Sequence, residues 1–90
     1  MYTRNVLIQN RTGLHARPAS VFATCAAEYK SKITISSVDD EDSVDAKSVM
    51  MILSIGIGQG DEVTITAKGE DETEAVDALV ALIESKFGED

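Results

Sequence analysis

Residues 2 to 29 read Tyr2-Thr3-Arg4-Asn5-Val6-Leu7-Ile8-Gln9-Asn10-Arg11-Thr12-Gly13-Leu14-His15-Ala16-Arg17-Pro18-Ala19-Ser20-Val21-Phe22-Ala23-Thr24-Cys25-Ala26-Ala27-Glu28-Tyr29. At the start Val6 and Ile8 face one way while Asn5 and Gln9 face the other, the period of a half-buried strand over Tyr2 to Gln9. Asn10 to Gly13 is a turn. From Ala16 the period changes: Pro18, Phe22, Cys25 and Tyr29 recur at helical spacing, with Ala19, Val21 and Ala26 widening the stripe. A strand therefore passes through a glycine turn into a helix of about three turns that starts after His15.

The rest of the chain extends this pattern. Lys32 to Val38 alternates around Ile33 and Ile35, and the acidic run Asp39-Asp40-Glu41-Asp42 makes a hairpin loop before a short strand around Ser43 to Asp45. Asp45 has the chemistry of a helix N-cap, with Lys47 and Ser48 in the first turn and Val49 to Leu53 as a short apolar helix that unwinds through Ser54 to Gly60. Asp61 to Ala67 turns Val63, Ile65 and Ala67 inward. Asp71 with Glu74 resembles a capping pair, opening a helix whose Val76, Leu79, Val80, Ile83 and Phe87 form one stripe. The order βαββαβα closes as an α+β fold with one four-stranded antiparallel sheet, helices on one face, and the first and last strands paired in the middle. Thr34, Ser36, Thr64 and Thr66 leave the other face wet.

Length and composition narrow the function. Ninety residues suit a single domain spanning 1–90, burying about 60% of its unfolded surface. A net charge of −8 excludes direct nucleic-acid binding and anionic membranes, which need clustered Lys and Arg. The charge is uneven, however. Residues 1 to 32 hold Arg4, Arg11, Arg17, Lys30 and Lys32 against Glu28 alone, whereas the remainder holds Lys47, Lys68 and Lys86 against fifteen carboxylates. The segment containing the single histidine is locally positive and suits a phosphate or an acidic surface. One cysteine, Cys25, allows neither an internal disulfide nor a zinc cluster and reads as a small core thiol. No apolar run spans a bilayer and no signal-peptide pattern opens the chain, so no membrane insertion and a cytoplasmic location are expected. Neither cofactor nor metal is expected.

The chemistry gathers at Gly13-Leu14-His15-Ala16-Arg17-Pro18-Ala19. With His15 as N-cap, Ala16 and Arg17 open the helix, and Pro18 is tolerated because its missing N–H had no intrahelical partner. The amides of Ala16 and Arg17, the positive helix end and the Arg17 guanidinium converge where an anion attached to His15 would lie. A neutral imidazole nitrogen can accept a phosphoryl group and release it to another nucleophile, a transfer that depends on positioning and charge neutralisation. No hydrolytic base accompanies it, which favours a stoichiometric carrier over an enzyme. Val49, Met50, Met51 and Leu53 cannot all face the core on so short a helix. Some of them should form an adaptable docking patch near His15, and at least two should fill the core.

Gly13-Leu14-His15-Ala16-Arg17-Pro18-Ala19 and Lys47-Ser48-Val49-Met50, on a chain of this length and element order, resemble HPr, the histidine-containing phosphocarrier family of the bacterial phosphotransferase system. The resemblance covers essentially the whole chain and implies an open-faced β-sandwich. It implies a relay in which Enzyme I, charged by phosphoenolpyruvate, phosphorylates Nδ1 of His15, Arg17 stabilises the phosphate, and sugar-specific IIA domains receive the group. It further implies that Ser48 is a regulatory serine for HPr kinase/phosphorylase, the phosphorylated form partnering a catabolite-control transcription factor. Met51 and the acidic loop Asp39 to Asp42 depart from the family pattern, as do Thr24 and Ala27 where enteric members carry lysine. Two other readings stand beside this one: a paralogue serving a nitrogen-linked regulatory relay, and a non-catalytic binding or co-repressor module in which His15 only caps a helix. A permanent dimer covering His15 would defeat transfer, so a monomer is expected.

Overall fold

The computed structural model describes residues 1–89. Strand β1 (Tyr2–Leu7) leads to helix α1 (Ala16–Ala27), then to strands β2 (Lys32–Ser37) and β3 (Val44–Asp45). Helix α2 (Val49–Ser54), strand β4 (Glu62–Lys68) and helix α3 (Glu72–Glu84) follow, ending in a short 3-10 turn, Lys86–Gly88. The sheet is antiparallel throughout, in the order β1-β4-β2-β3. This is the expected open four-stranded sheet with three helices.

The first and last strands do pair, but not in the middle: β1 is an edge strand and β4 lies between it and β2. The cause is α1. Since β1 and β2 both run antiparallel to β4, they are parallel to each other and need a crossover helix between them. That crossover leaves a slot one strand wide, which β4 fills.

Alternation along the strands divides the sheet into a buried and a wet face. Val6, Ile33, Ile35, Val63, Ile65 and Ala67 are buried, while Asn5, Thr34, Ser36, Thr64 and Thr66 point away from the core. On the wet face Thr64 donates to Asn5 (2.8 Å) and Thr3 to Thr66 (3.1 Å), cross-strand bonds that follow the register Asn5↔Thr64 and Thr3↔Thr66. At the edge of the inner face, Tyr2 and Arg4 reach Asp77 of α3 at 3.0 and 3.1 Å.

Helix α1 buries Pro18, Ala19, Phe22, Ala23 and Ala26, and its small residues let it pack closely on α2 and α3. Cys25 and Tyr29 are only half buried, and burial pushes the Cys25 thiol up, away from a reactive thiolate. In α3 the expected Val76, Leu79, Val80 and Ile83 are buried; Phe87 is also buried but lies beyond the helix end. The capping pair is corrected. Asp71 is the N-cap of α3, but its carboxylate accepts the Lys30 amide (2.9 Å), the Ser31 amide (3.0 Å) and the Ser31 hydroxyl (2.5 Å) instead of capping its own helix. Glu72, not Glu74, reaches back to the Gly69 amide at 3.1 Å. The link to Ser31 is possible because the chain passes so close at Gly69 that a β-carbon there would lie 2.7 Å from the Ser31 Cα.

Candidate functional site

The loop between β1 and α1 is fixed by backbone bonds to distant residues. Ile8 donates to the Asp61 carbonyl (2.8 Å), Leu14 to the Ile57 carbonyl (3.0 Å), and Gly13 closes the turn onto the Asn10 carbonyl (3.2 Å). Leu14 is fully buried and anchors the loop in the core. Gly13 has φ +65°, and a β-carbon at that position would meet Gly58 Cα and the Ile57 carbonyl oxygen, both at 2.6 Å. Only glycine allows the loop to lie against the segment after α2.

His15 follows at φ −122°, ψ 159°, as the N-cap of α1. Its side chain makes no capping hydrogen bond, and the residue is exposed. The ring is thus presented to solvent, not used to close the helix. Ala16, the first residue of α1, has φ +52°. A left-handed conformation costs a residue with a β-carbon roughly 1–2 kcal/mol, so the backbone is strained immediately after the histidine. Nothing in the sequence signalled this, because alanine there reads as an ordinary helix former.

Arg17 is exposed, and its guanidinium donates to the carbonyl of Phe87 at 3.4 Å. One guanidinium nitrogen of Arg17 is thus held by the C-terminal turn. That turn carries positive φ at Lys86 (60°), Phe87 (54°) and Gly88 (77°), a reversal that exposes the Phe87 carbonyl while burying its ring.

Glu89 completes the surroundings. Its carboxylate accepts from the Thr12 hydroxyl (2.9 Å), the Thr12 amide (3.4 Å) and the Asn10 side-chain amide (3.3 Å), and Asn10 also donates to the Gly13 carbonyl at 2.9 Å. Sequence reasoning gave Asn10 only a place in the turn and Phe87 only one in an apolar stripe, and passed over Glu89, since contacts spanning seventy or more residues have no local pattern.

Hydrogen bonds from the Ser31 hydroxyl and the Lys30 amide hold the Asp71 carboxyl below its usual value of 3.8. The Thr12 hydroxyl does the same to Glu89, whose usual value is 4.5. Folded values below unfolded ones mean that these carboxylates stabilise the fold above their ordinary pKa and lose that contribution as pH falls through the lowered ones. Stability followed by circular dichroism is expected to decline below about pH 4.5, with a shallower decline in Asp71→Asn. An unchanged slope in that variant would contradict the assignment.

The second motif differs in detail from expectation. Asp45 belongs to β3, paired with Thr34, and its carboxylate accepts the Lys47 amide at 2.9 Å in a turn that delays the helix. Ser48 is itself the N-cap of α2, accepting from the Met51 amide at 3.3 Å. It therefore does not lie within the first turn behind an Asp45 cap. Ser48→Ala is expected to lower the unfolding free energy by about 1 kcal/mol, read as a shift in urea midpoint at constant slope.

Beyond Ser48, Val49, Met50, Met51 and Leu53 are exposed by 36, 81, 44 and 41%. None of the four fills the core, contrary to expectation for at least two of them, because Ile52 takes the inward position of this six-residue helix. All four are exposed apolar side chains on this one short helix. The segment that follows, Ile57 and Gly58, backs directly onto Gly13 and Leu14.

An open-faced α+β sandwich presenting one exposed imidazole at a helix start, together with a short helix of exposed apolar side chains, has the form of a small group-transfer protein. A family model described as the PTS HPr component phosphorylation site matches residues 2–85. The HPr-like protein Crh of Halalkalibacterium halodurans is 41% identical over 86 residues, spanning 96% of this chain and 100% of that one. The phosphocarrier protein NPr of Shewanella violacea is 42% identical over 86 residues, spanning 96% and 92%. HPr from Thermoanaerobacter tengcongensis superposes with a TM-score of 0.95 at 49% identity, covering 100% of this chain and 99% of that one; a dimer of HPr from the same organism gives 0.78 at 49%, covering 99% and 100%. The chain belongs to the HPr family of phosphocarriers.

Proposed function

We propose that this protein accepts a phosphoryl group on His15 from Enzyme I and passes it to sugar-specific IIA domains. The carrying observation is the exposed ring of His15, which makes no capping bond although it stands at the N-cap. A ring nitrogen attacks phosphorus, the P–N bond forms as the bond to the donor's carrier group breaks, and the reverse step delivers the group onward. The Ala16 and Arg17 amides, with no preceding helical carbonyl to bond, supply hydrogen bonds to the phosphoryl oxygens. Arg17 leaves the neutral Phe87 carbonyl for the dianion, a charge-assisted bond about twice as strong as a neutral one. The Val49, Met50, Met51 and Leu53 surface docks the successive partners.

Ser48 serves as the regulatory site for HPr kinase/phosphorylase, whose product binds a catabolite-control transcription factor. A phosphate there would put a dianion beside the apolar docking surface and change which partners it accepts. A nitrogen-linked relay is the alternative, favoured by the likeness to NPr. The protein acts in the cytoplasm as a monomer, leaving His15 free, and sedimentation at micromolar concentration should give one 9.6 kDa species. The test uses labelled phosphoenolpyruvate with Enzyme I. Acid-labile label that moves on to sugar-type IIA domains supports the reading; no uptake overturns it, and transfer only to a nitrogen-type IIA selects the alternative. Acid-stable label from ATP and the kinase that survives Ser48→Ala removes the regulatory assignment.

A further inference from the structure

At the far end of α1 from His15, about 18 Å along a twelve-residue helix, a cavity of about 450 Å³ opens on the edge of β2 where the two-residue β3 stops. Its wall contains Lys30, Lys32 and Lys47 against the single carboxylate of Asp45. Three of the chain's five lysines thus share one concavity in a protein of net charge −8. A fourth, Lys68, stands directly opposite Lys32 in the β2–β4 register. Like charges facing each other across a ladder are unfavourable unless something neutralises them.

Nothing within the described chain does so. Among the described residues, the ion pairs are Met1 with Glu72 and Arg4 with Asp77, so none of these four lysines has a carboxylate within ion-pair distance. Of the carboxylates nearby, Asp45 in the wall accepts the Lys47 amide at 2.9 Å, and Asp71 is engaged with the Lys30 and Ser31 amides and the Ser31 hydroxyl. Lys47 is half buried and held in place by donating to the Tyr29 carbonyl at 2.7 Å, which leaves its other ammonium hydrogens free to point elsewhere. Thr34 and Ser43 add hydroxyls to the wall, and the half-buried Val44 adds an apolar contact.

We propose that this cavity binds a small molecule through its phosphoryl group, the dianion lying among the Lys30, Lys32 and Lys47 ammoniums with Thr34 and Ser43 donating to its oxygens. Lysine without arginine suits a compact dianion addressed by point charges better than a planar carboxylate addressed by a guanidinium fork. The volume suits a metabolite-sized ligand, and Val44 beside the lysines would contact its uncharged part. Since the site is remote from His15, it does not depend on the carrier reading.

The test is a titration of isotope-labelled protein followed by amide chemical shifts, at ionic strength held constant with sodium chloride. The probes are ribose 5-phosphate, inorganic phosphate, ribose and a hexaglutamate peptide. Ribose 5-phosphate should move the amides of Lys30 to Thr34 and Ser43 to Lys47 saturably, while ribose alone does nothing. The double variant Lys30→Gln/Lys32→Gln, at exposed positions that leave the fold intact, should bind at least tenfold more weakly yet take up phosphoryl from Enzyme I at the unchanged rate. Saturation of the same amides by inorganic phosphate with equal affinity supports phosphoryl recognition and identifies free phosphate as the source; tighter binding of the ester supports it and identifies an ester. The proposal is overturned if shifts are diffuse, if they centre on His15 to Arg17, if the double variant binds as well as the parent, or if only the peptide saturates the site.

Discussion

His15→Ala is expected to abolish acid-labile phosphorylation by phosphoenolpyruvate and Enzyme I, down to the background of the assay, without moving the unfolding midpoint. The two halves of this result rest on the same geometry. The ring is exposed and makes no capping bond, so its removal takes away no packing and leaves no buried group unsatisfied. Surface changes of that kind stay within about 0.5 kcal/mol. The backbone at Ala16, already at φ +52°, keeps its conformation because Leu14, buried in the core, and the Ile57 carbonyl hold the loop. The chemistry, by contrast, has no substitute, as the chain contains no second imidazole. Label retained by the variant would place the phosphoryl group elsewhere. A large fall in midpoint would instead make His15 a structural residue, the reading in which it merely caps a helix.

Gly13→Ala should be the most damaging single methyl in the molecule. The added carbon would lie 2.6 Å from both Gly58 Cα and the Ile57 carbonyl oxygen, with Gly58 C at 2.9 Å, all of it backbone that no rotamer change can move aside. The residue would also have to hold φ +65°, costing roughly 1–2 kcal/mol before any clash. Overpacking adds about 1–3 kcal/mol, so a total near 3 kcal/mol is expected in urea unfolding. If the chain yields by lifting the loop away from Gly58, the Leu14–Ile57 bond breaks and His15 moves relative to the α2 surface. Phosphoryl transfer from Enzyme I should then drop even under conditions where the variant is fully folded. Gly56→Ala is the control: its φ of +61° is similar, but a β-carbon there meets nothing within 4 Å. Equal losses in the two variants would mean that the left-handed backbone alone, and not contact with Gly58, sets the requirement at Gly13.

Much of this arrangement was legible in the chain because it rests on local periodicity. The alternation of Ile33 with Ile35 and of Val63 with Ile65, the helical recurrence of Phe22 and Leu79, and the turn at Gly13 each depend on neighbours a few residues apart. What escaped was set by distance or by competition for one side chain. Asp45 and Asp71 both look like helix caps, yet Asp45 was drawn into a strand, leaving Ser48 to cap α2, and the Asp71 carboxylate into the Ser31 corner, leaving α3 without a side-chain cap. The placement of β4 between β1 and β2 follows from the handling of a parallel pair, which periodicity does not encode. At the site, His15 and its exposure were readable, whereas the hold of Phe87 on Arg17 and of Glu89 on Thr12 joins residues seventy or more positions apart. The left-handed Ala16 had no signal at all.

The polar face of the sheet offers a practical handle. The Asn5–Thr64 and Thr3–Thr66 pairs lie on the side opposite the helices, while His15 and the apolar surface of α2 belong to the helical layer. A dye or resin attached through the thiol of a Ser36→Cys variant, on that same polar face, would orient every copy with its transfer chemistry outward. The half-buried Cys25, with its raised thiol, would compete little for the coupling reagent.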